Sequence, residues 1–100
     1  MEFKELQKKI LENAKRYERE HNLIIDEDFA LLKLYEEAGE FAQAVLIHKK
    51  KSRPEKHLPA KESKKKVAEE LADIVGMAVV NADRLNIDLE DALKKKWIRE

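Results

Sequence analysis

Hydrophobic residues recur at spacings of three and four along much of this chain, a pattern typical of amphipathic α-helices. The N-terminal stretch shows the pattern clearly and predicts a helix over about residues 2–21. Its apolar positions are Phe3, Leu6, Ile10, Leu11, Ala14 and Tyr17, with charged residues between them. No segment alternates apolar and polar residues over a useful length, so the sequence predicts no β-sheet.

Three further helices follow from the same reading. Asp26 is a candidate N-cap for a second helix over about residues 27–49, whose first turn is acidic. A third helix is predicted over about residues 64–85, with Ser63 as its candidate cap. Asp88 is the expected N-cap of a short fourth helix that ends near Ile98. The predicted fold class is all-α, a bundle of about four helices in a single domain spanning residues 1–100.

The amino-acid composition excludes several kinds of functional site, whereas the net charge excludes none. Lys plus Arg and Asp plus Glu both number 21, so the net charge argues neither for nucleic acid nor against it. The absence of cysteine excludes disulfides, thiolate zinc sites and cysteine nucleophiles. The longest strictly apolar run, IVGMAVV at 74–80, is too short to span a bilayer. We therefore expect a soluble, cytoplasmic protein with no membrane partner.

Acidic residues cluster on two of the predicted helices. The second helix carries Glu36, Glu37 and Glu40 within an arc of about 100° on an otherwise largely apolar surface. The third repeats the same spacing with Glu69, Glu70 and Asp73. Like charges at these spacings cost about 0.2–0.5 kcal/mol per pair.

Two interpretations of these clusters are open. They are either solvated acidic stripes on amphipathic helices, or carboxylates that converge around a hard divalent cation such as Mg²⁺. No histidine lies near either cluster, which argues against zinc and against non-haem iron.

The two motifs together resemble a known family. The segments KLYEEAGEFAQAV and EELADIVGMAVVNADRLNIDLEDALKKK, separated by a basic linker, are similar to the MazG-type all-α nucleoside triphosphate pyrophosphohydrolases. The resemblance covers about residues 29–96 and lies in the paired signature Glu-Glu-x-x-Glu and Glu-x-x-Asp. It implies Mg²⁺-dependent hydrolysis of a nucleoside triphosphate between the α and β phosphates, with a nucleoside monophosphate and pyrophosphate as products.

The resemblance also implies roles for single residues. The expected metal ligands are Glu37, Glu40, Glu70 and Asp73, for Mg²⁺ or for Mn²⁺ as a substitute. Glu36 is expected to be a further ligand or to orient the attacking water. Glu69 is the weakest candidate and is expected to lie in solvent or behind the ligands.

Cations for the phosphate groups are expected from several places. Lys33 lies one turn before Glu36, Arg53 and the linker lysines follow the second helix, and Lys96 matches a family lysine on the last helix. The family places an asparagine after that lysine, and here its position falls at Glu100. This departure puts that part of the phosphate-binding apparatus in doubt.

The linker itself, residues 49–66, has two interpretations. It contains both prolines and nine Lys or Arg against two Glu, without a helical period, and we predict a loop. It is either a solvated connection or an electrostatic funnel and partial lid for a polyanionic nucleotide. It lacks interleaved aromatic residues for base stacking, so nucleic acid is not an expected partner.

The sequence also predicts that the chain forms an oligomer. A single chain would cover the apolar run at 74–80 poorly, so we expect a homodimer or a dimer of dimers. Trp97 is expected at an interface or in the core, or stacked on a base.

The alternative to an enzyme is a non-catalytic helical interaction or regulatory module with a degenerate metal site. Hydrolysis of phosphoribosyl-ATP is a third reading, less favoured because KLYEEAGEF and IDLEDAL look closer to the MazG-like branch.

Overall fold

The computed structural model describes residues 1–99 and contains no strand in that range. Its four α-helices are α1 (Phe3–His21), α2 (Glu27–His48), α3 (Ala60–Arg84) and α4 (Leu89–Trp97), and a short 3₁₀ turn covers Pro54–Lys56. The all-α prediction with about four helices is therefore confirmed. Glu100, where the family's asparagine would fall, lies outside the described residues. None of the helices within 1–99 combines the length and apolarity that crossing a membrane requires.

Two of the predicted helix starts are capped as expected. The Asp26 carboxylate accepts a hydrogen bond from the backbone N–H of Phe29 at 2.9 Å. The Asp88 carboxylate accepts one from the N–H of Asp91 at 3.1 Å. Each cap satisfies a backbone donor that has no partner inside its own helix, which fixes where α2 and α4 begin.

The predicted start of the third helix is wrong. α3 begins at Ala60, directly after Pro59, so its first two turns occupy part of the predicted loop. Ser63 is not a cap: its side chain is buried inside the first turn, donates to the Ala60 carbonyl at 3.0 Å and lies 2.7 Å from His48 Nδ1. Residues 60–66 are mostly exposed helix formers without apolar periodicity, so the pattern did not reveal them.

The centre of the fold is the antiparallel pair of α2 and α3. At one end, the Asn81 side-chain amide on α3 donates to the Ala30 carbonyl near the start of α2 at 2.8 Å. At the other end, Ser63 at the start of α3 meets His48 at the end of α2. These contacts hold the two helices in register over most of their lengths.

α1 covers one half of this helix pair. Its buried Ala14 joins a small apolar core with Ile25, Ala30 and Val80, against which Ile10 and Phe29 also pack. Among the described residues, α1 contacts α3 more extensively than it contacts α2. The core is therefore concentrated where α1, the α1–α2 loop and the C-terminal half of α3 meet.

Arg84 joins these three parts. Its Nε donates to the Ile25 carbonyl at 2.6 Å, and its guanidinium lies 3.8 Å from a carboxylate oxygen of Glu18 on α1. Glu18 in turn accepts the N–H of Ile25 at 2.7 Å. Both backbone polar groups of the buried Ile25 are thereby satisfied by side chains, which permits the loop to enter the core.

We expect Arg84→Ala to lower the free energy of unfolding by about 1.5–3 kcal/mol, because it removes a charged donor from a buried carbonyl. Urea denaturation measures the change. Arg19→Ala, at an exposed position on α1, is the matched control and should stay within about 0.5 kcal/mol of the parent. Equal losses in both variants would contradict this role of Arg84.

Candidate metal centre

The acidic residues of α2 and α3 converge on one place. Oxygens of Glu37, Glu70 and Asp73 lie within 4.8 Å of one another, and so do oxygens of Glu36, Glu37 and Glu40. Glu37 belongs to both groups and links the two helices. The structure thus brings together all four predicted metal ligands and Glu36, while Glu69 is exposed and belongs to neither group. That these residues bind a metal remains a prediction.

The antiparallel packing explains the convergence. Each acidic motif places one glutamate against the neighbouring helix, and Glu37 and Glu70 are each only 6% exposed. The acid three residues later in each motif, Glu40 on α2 and Asp73 on α3, is exposed to solvent. Residues at three- and four-residue spacings share one helix face, so each buried glutamate has an accessible carboxylate beside it.

The two buried glutamates have incomplete hydrogen bonding. One oxygen of Glu37 lies 3.7 Å from Lys33 Nζ, and one oxygen of Glu70 lies 3.5 Å from Lys66 Nζ. The Oε2 atoms of both residues are buried without a hydrogen-bond partner in the described part of the chain. An unpartnered buried carboxylate oxygen is costly.

These orphaned oxygens fit the metal that the resemblance implies. A donor set made only of carboxylate oxygens, some buried and some open to solvent, suits a hard cation such as Mg²⁺ or Mn²⁺. Such an ion would give Glu37 Oε2 and Glu70 Oε2 the partner that the protein does not supply.

The electrostatics of the centre point the same way. Burial, and then the neighbouring charges of Glu40 and Asp73, raise the pKa of Glu37 to about 7, while Lys33 opposes them in part. The hydrogen bond from Lys33 to Glu36, at 2.7 Å, raises the pKa of the lysine, which therefore keeps its charge. Without a cation, the negative charge of the centre exceeds the positive charge that Lys33 and Lys66 supply.

A groove of about 520 Å³ adjoins the acidic centre. Glu37, Asp73 and Lys33 line it at the acidic centre, Lys9 is a further polar residue of its lining, and the apolar side chains of Phe29 and Met77 contribute to its wall. Its third side comes from α1, through residues that include Asn13 and Tyr17. No sequence pattern marked these α1 residues as part of a site, because their spacing indicates only an amphipathic helix.

The three predicted phosphate-binding residues fall in different places. Lys33 lies at the acidic centre and lines the groove. Arg53 is exposed in the linker, where its Nε lies 3.5 Å from Glu55, and Lys96 is exposed on α4. Among the residues described, neither of the latter two lines the groove. Lys66, one of the lysines of the basic stretch 49–66 and also part of the predicted third helix, lies on α3 with its Nζ 3.5 Å from Glu70.

Paired acidic helices in an antiparallel all-α fold define the class of protein. Residues 26–99 match the MazG nucleotide pyrophosphohydrolase domain, and the chain belongs to this family. One relative, "Uncharacterized protein YvdC" of Bacillus subtilis (strain 168), is 40% identical over 63 residues. The alignment spans 61% of this chain and 59% of the relative's length. No solved structure matches the chain.

The raised pKa of Glu37 predicts a pH-dependent stability for the metal-free protein. The folded state holds this proton more tightly than the unfolded state, whose glutamate has a pKa of 4.5. The free energy of unfolding should therefore fall as pH rises from about 4.5 to about 7. Urea denaturation across this range, with a chelator present, measures the slope.

Glu37→Gln should flatten this slope, because it removes the titrating group. The exposed Glu69→Gln should keep the parent's slope and serves as the control. A parent and a Glu37→Gln variant with the same pH dependence would refute the assignment of the slope to Glu37.

Proposed function

We propose that this chain is a cytoplasmic, Mg²⁺-dependent nucleotide pyrophosphohydrolase, with Mn²⁺ as a substitute. It cleaves a nucleoside or deoxynucleoside triphosphate between the α and β phosphates. The observation that carries the proposal is the meeting of buried Glu37 and Glu70, each with an unpartnered oxygen, beside a groove. Membership of the MazG family supports it.

The groove suits the nucleoside part of such a substrate. Its volume of about 520 Å³ lies within the range of about 300–1,000 Å³ usual for small-molecule sites. Its apolar wall can pack against a base, and its polar end directs the phosphates towards Glu37, Asp73 and Lys33. The substrate would therefore lie with its α phosphate at the acidic centre.

The acidic residues have distinct parts in the proposed reaction. Glu37, Glu40, Glu70 and Asp73 would hold Mg²⁺, which when bound neutralises phosphate charge and acidifies water. Glu36, held by Lys33 at 2.7 Å, orients the attacking water and accepts its proton. The water oxygen bonds to the α phosphorus while the bond to the bridging oxygen breaks. Pyrophosphate leaves with that oxygen, and the proton passes from Glu36 to solvent.

A panel of the four ribonucleoside and four deoxyribonucleoside triphosphates, assayed for pyrophosphate release, tests the proposal. We expect Mg²⁺-dependent release with at least one of them. Glu40→Gln and Asp73→Asn should abolish it and leave the fold intact or more stable, because each removes a charge from a repelling cluster. Glu69→Gln, next to the cluster but outside it, should retain activity.

Other outcomes separate the remaining readings. No turnover with any of the eight nucleotides, with either Mg²⁺ or Mn²⁺, would favour the non-catalytic module. Turnover of phosphoribosyl-ATP alone would favour the third hypothesis, that the chain hydrolyses that nucleotide. Full activity of Glu40→Gln with unchanged metal dependence would refute the ligand set.

We also propose that two copies of the chain associate through the outer face of α2. This face carries Leu31, Leu32, Tyr35 and Leu46, each between 46% and 82% exposed. Four large, exposed apolar side chains on one face of a helix are typical of an interface and not of a solvent-facing helix. The radius of gyration, 15.8 Å, also exceeds the value of about 13 Å usual for a compact domain of 100 residues.

Sedimentation should accordingly give two or four times the monomer mass of 11.7 kDa. Tyr35→Glu should shift the protein towards monomer, because it places a charge at the most exposed position of this face. Lys15→Glu, at an exposed position on α1, is the control and should leave the mass unchanged. A monomeric parent would refute the homo-oligomer.

A further inference from the structure

The acidic motifs of α2 and α3 extend to include a lysine on each helix. The pattern Lys-x-x-Glu-Glu-x-x followed by an acid begins at Lys33 on α2 and recurs at Lys66 on α3. The two lysines also have the same local contact. Each lies within 4 Å of the buried glutamate four residues later, at 3.7 Å on α2 and 3.5 Å on α3.

Antiparallel packing turns this repeat into an approximate two-fold symmetry. Two identical motifs on antiparallel neighbours point their lysines in opposite directions along the helix pair. Lys33 lies towards the end where Ala30 meets Asn81, and Lys66 lies towards the end where His48 meets Ser63. The acidic centre is therefore flanked by one ammonium group on each side.

The surroundings make the two lysines unequal. The groove lies on the Lys33 side, where α1 covers the helix pair, and Lys33 lines it. Lys66 lies at the opposite side, where the basic linker joins α3. Lys33 is 35% exposed and has two glutamates within 4 Å, whereas Lys66 is 57% exposed and has one. Lys66 thus has more of its charge available to a ligand.

A nucleoside triphosphate has the matching polarity. If its nucleoside lies in the groove and its α phosphate at the acidic centre, its β and γ phosphates extend away from α1. We infer that Lys66 binds the β and γ phosphates and stabilises pyrophosphate as it leaves. This inference rests on the proposed function and places Lys66 at the pyrophosphate end of the substrate.

The chemistry of the leaving group gives Lys66 its effect. Negative charge grows on the bridging oxygen as its bond to the α phosphorus breaks, and a nearby cation stabilises that charge. Lysine is a compact charge suited to phosphate, and its long stem lets it move from Glu70 to the ligand.

Calorimetric titration with magnesium pyrophosphate tests the inference without requiring turnover. Lys66→Met should weaken pyrophosphate binding by about tenfold or more, while binding of the nucleoside monophosphate product changes less than about twofold. Lys66→Arg should restore much of the pyrophosphate affinity, because it keeps the charge. Lys64→Met, exposed and about 160° around the same helix, should match the parent.

The outcomes separate this inference from the proposed function. If the parent hydrolyses nucleotides and Lys66→Met binds pyrophosphate as tightly as the parent, the role of Lys66 is overturned and the enzyme assignment stands. Equal weakening of both products, or an equal effect of Lys64→Met, would also overturn it. If no nucleotide is hydrolysed but pyrophosphate binding still depends on Lys66, the pyrophosphate site is supported and the proposed hydrolase activity is rejected. A parent that does not bind magnesium pyrophosphate would overturn the inference outright.

Discussion

Two glutamates buried face to face between α2 and α3 are the constraint around which this molecule is organised. Glu37 and Glu70 are each 6% exposed, and each has one oxygen near a lysine and one without a partner. Burying such charges opposes folding unless a counter-charge is present. The helix pair therefore carries an electrostatic cost at its centre, as is common where a site is built for a ligand.

The ends of the helix pair and α1 hold the centre in place against that repulsion. Hydrogen bonds between Ser63 and His48 at one end, and between Asn81 and Ala30 at the other, fix the register. Arg84 then ties α1 and its following loop to α3. A slip of one residue between α2 and α3 would rotate the acids out of the shared face.

A symmetric pair of helices alone would not favour one orientation of a bound substrate over the reverse orientation. α1 covers one side and forms a groove there, while the basic linker leaves from the other side. A substrate with an apolar end and an anionic end then has one favourable orientation. In the proposed function, this asymmetry selects which phosphate lies at the acidic centre, and the exposed face of α2 is left for a second copy.

The sequence by itself determined the helices, the caps at Asp26 and Asp88 and the acidic stripes, because periodicity and capping depend on residues a few positions apart. The motif pairing also led to the family and to the acids that the structure brings together. The tertiary structure alone decided the start of α3, the groove against α1 and the burial of Glu37 and Glu70. Each of these depends on contacts between distant residues, such as His48 with Ser63, which no local pattern encodes.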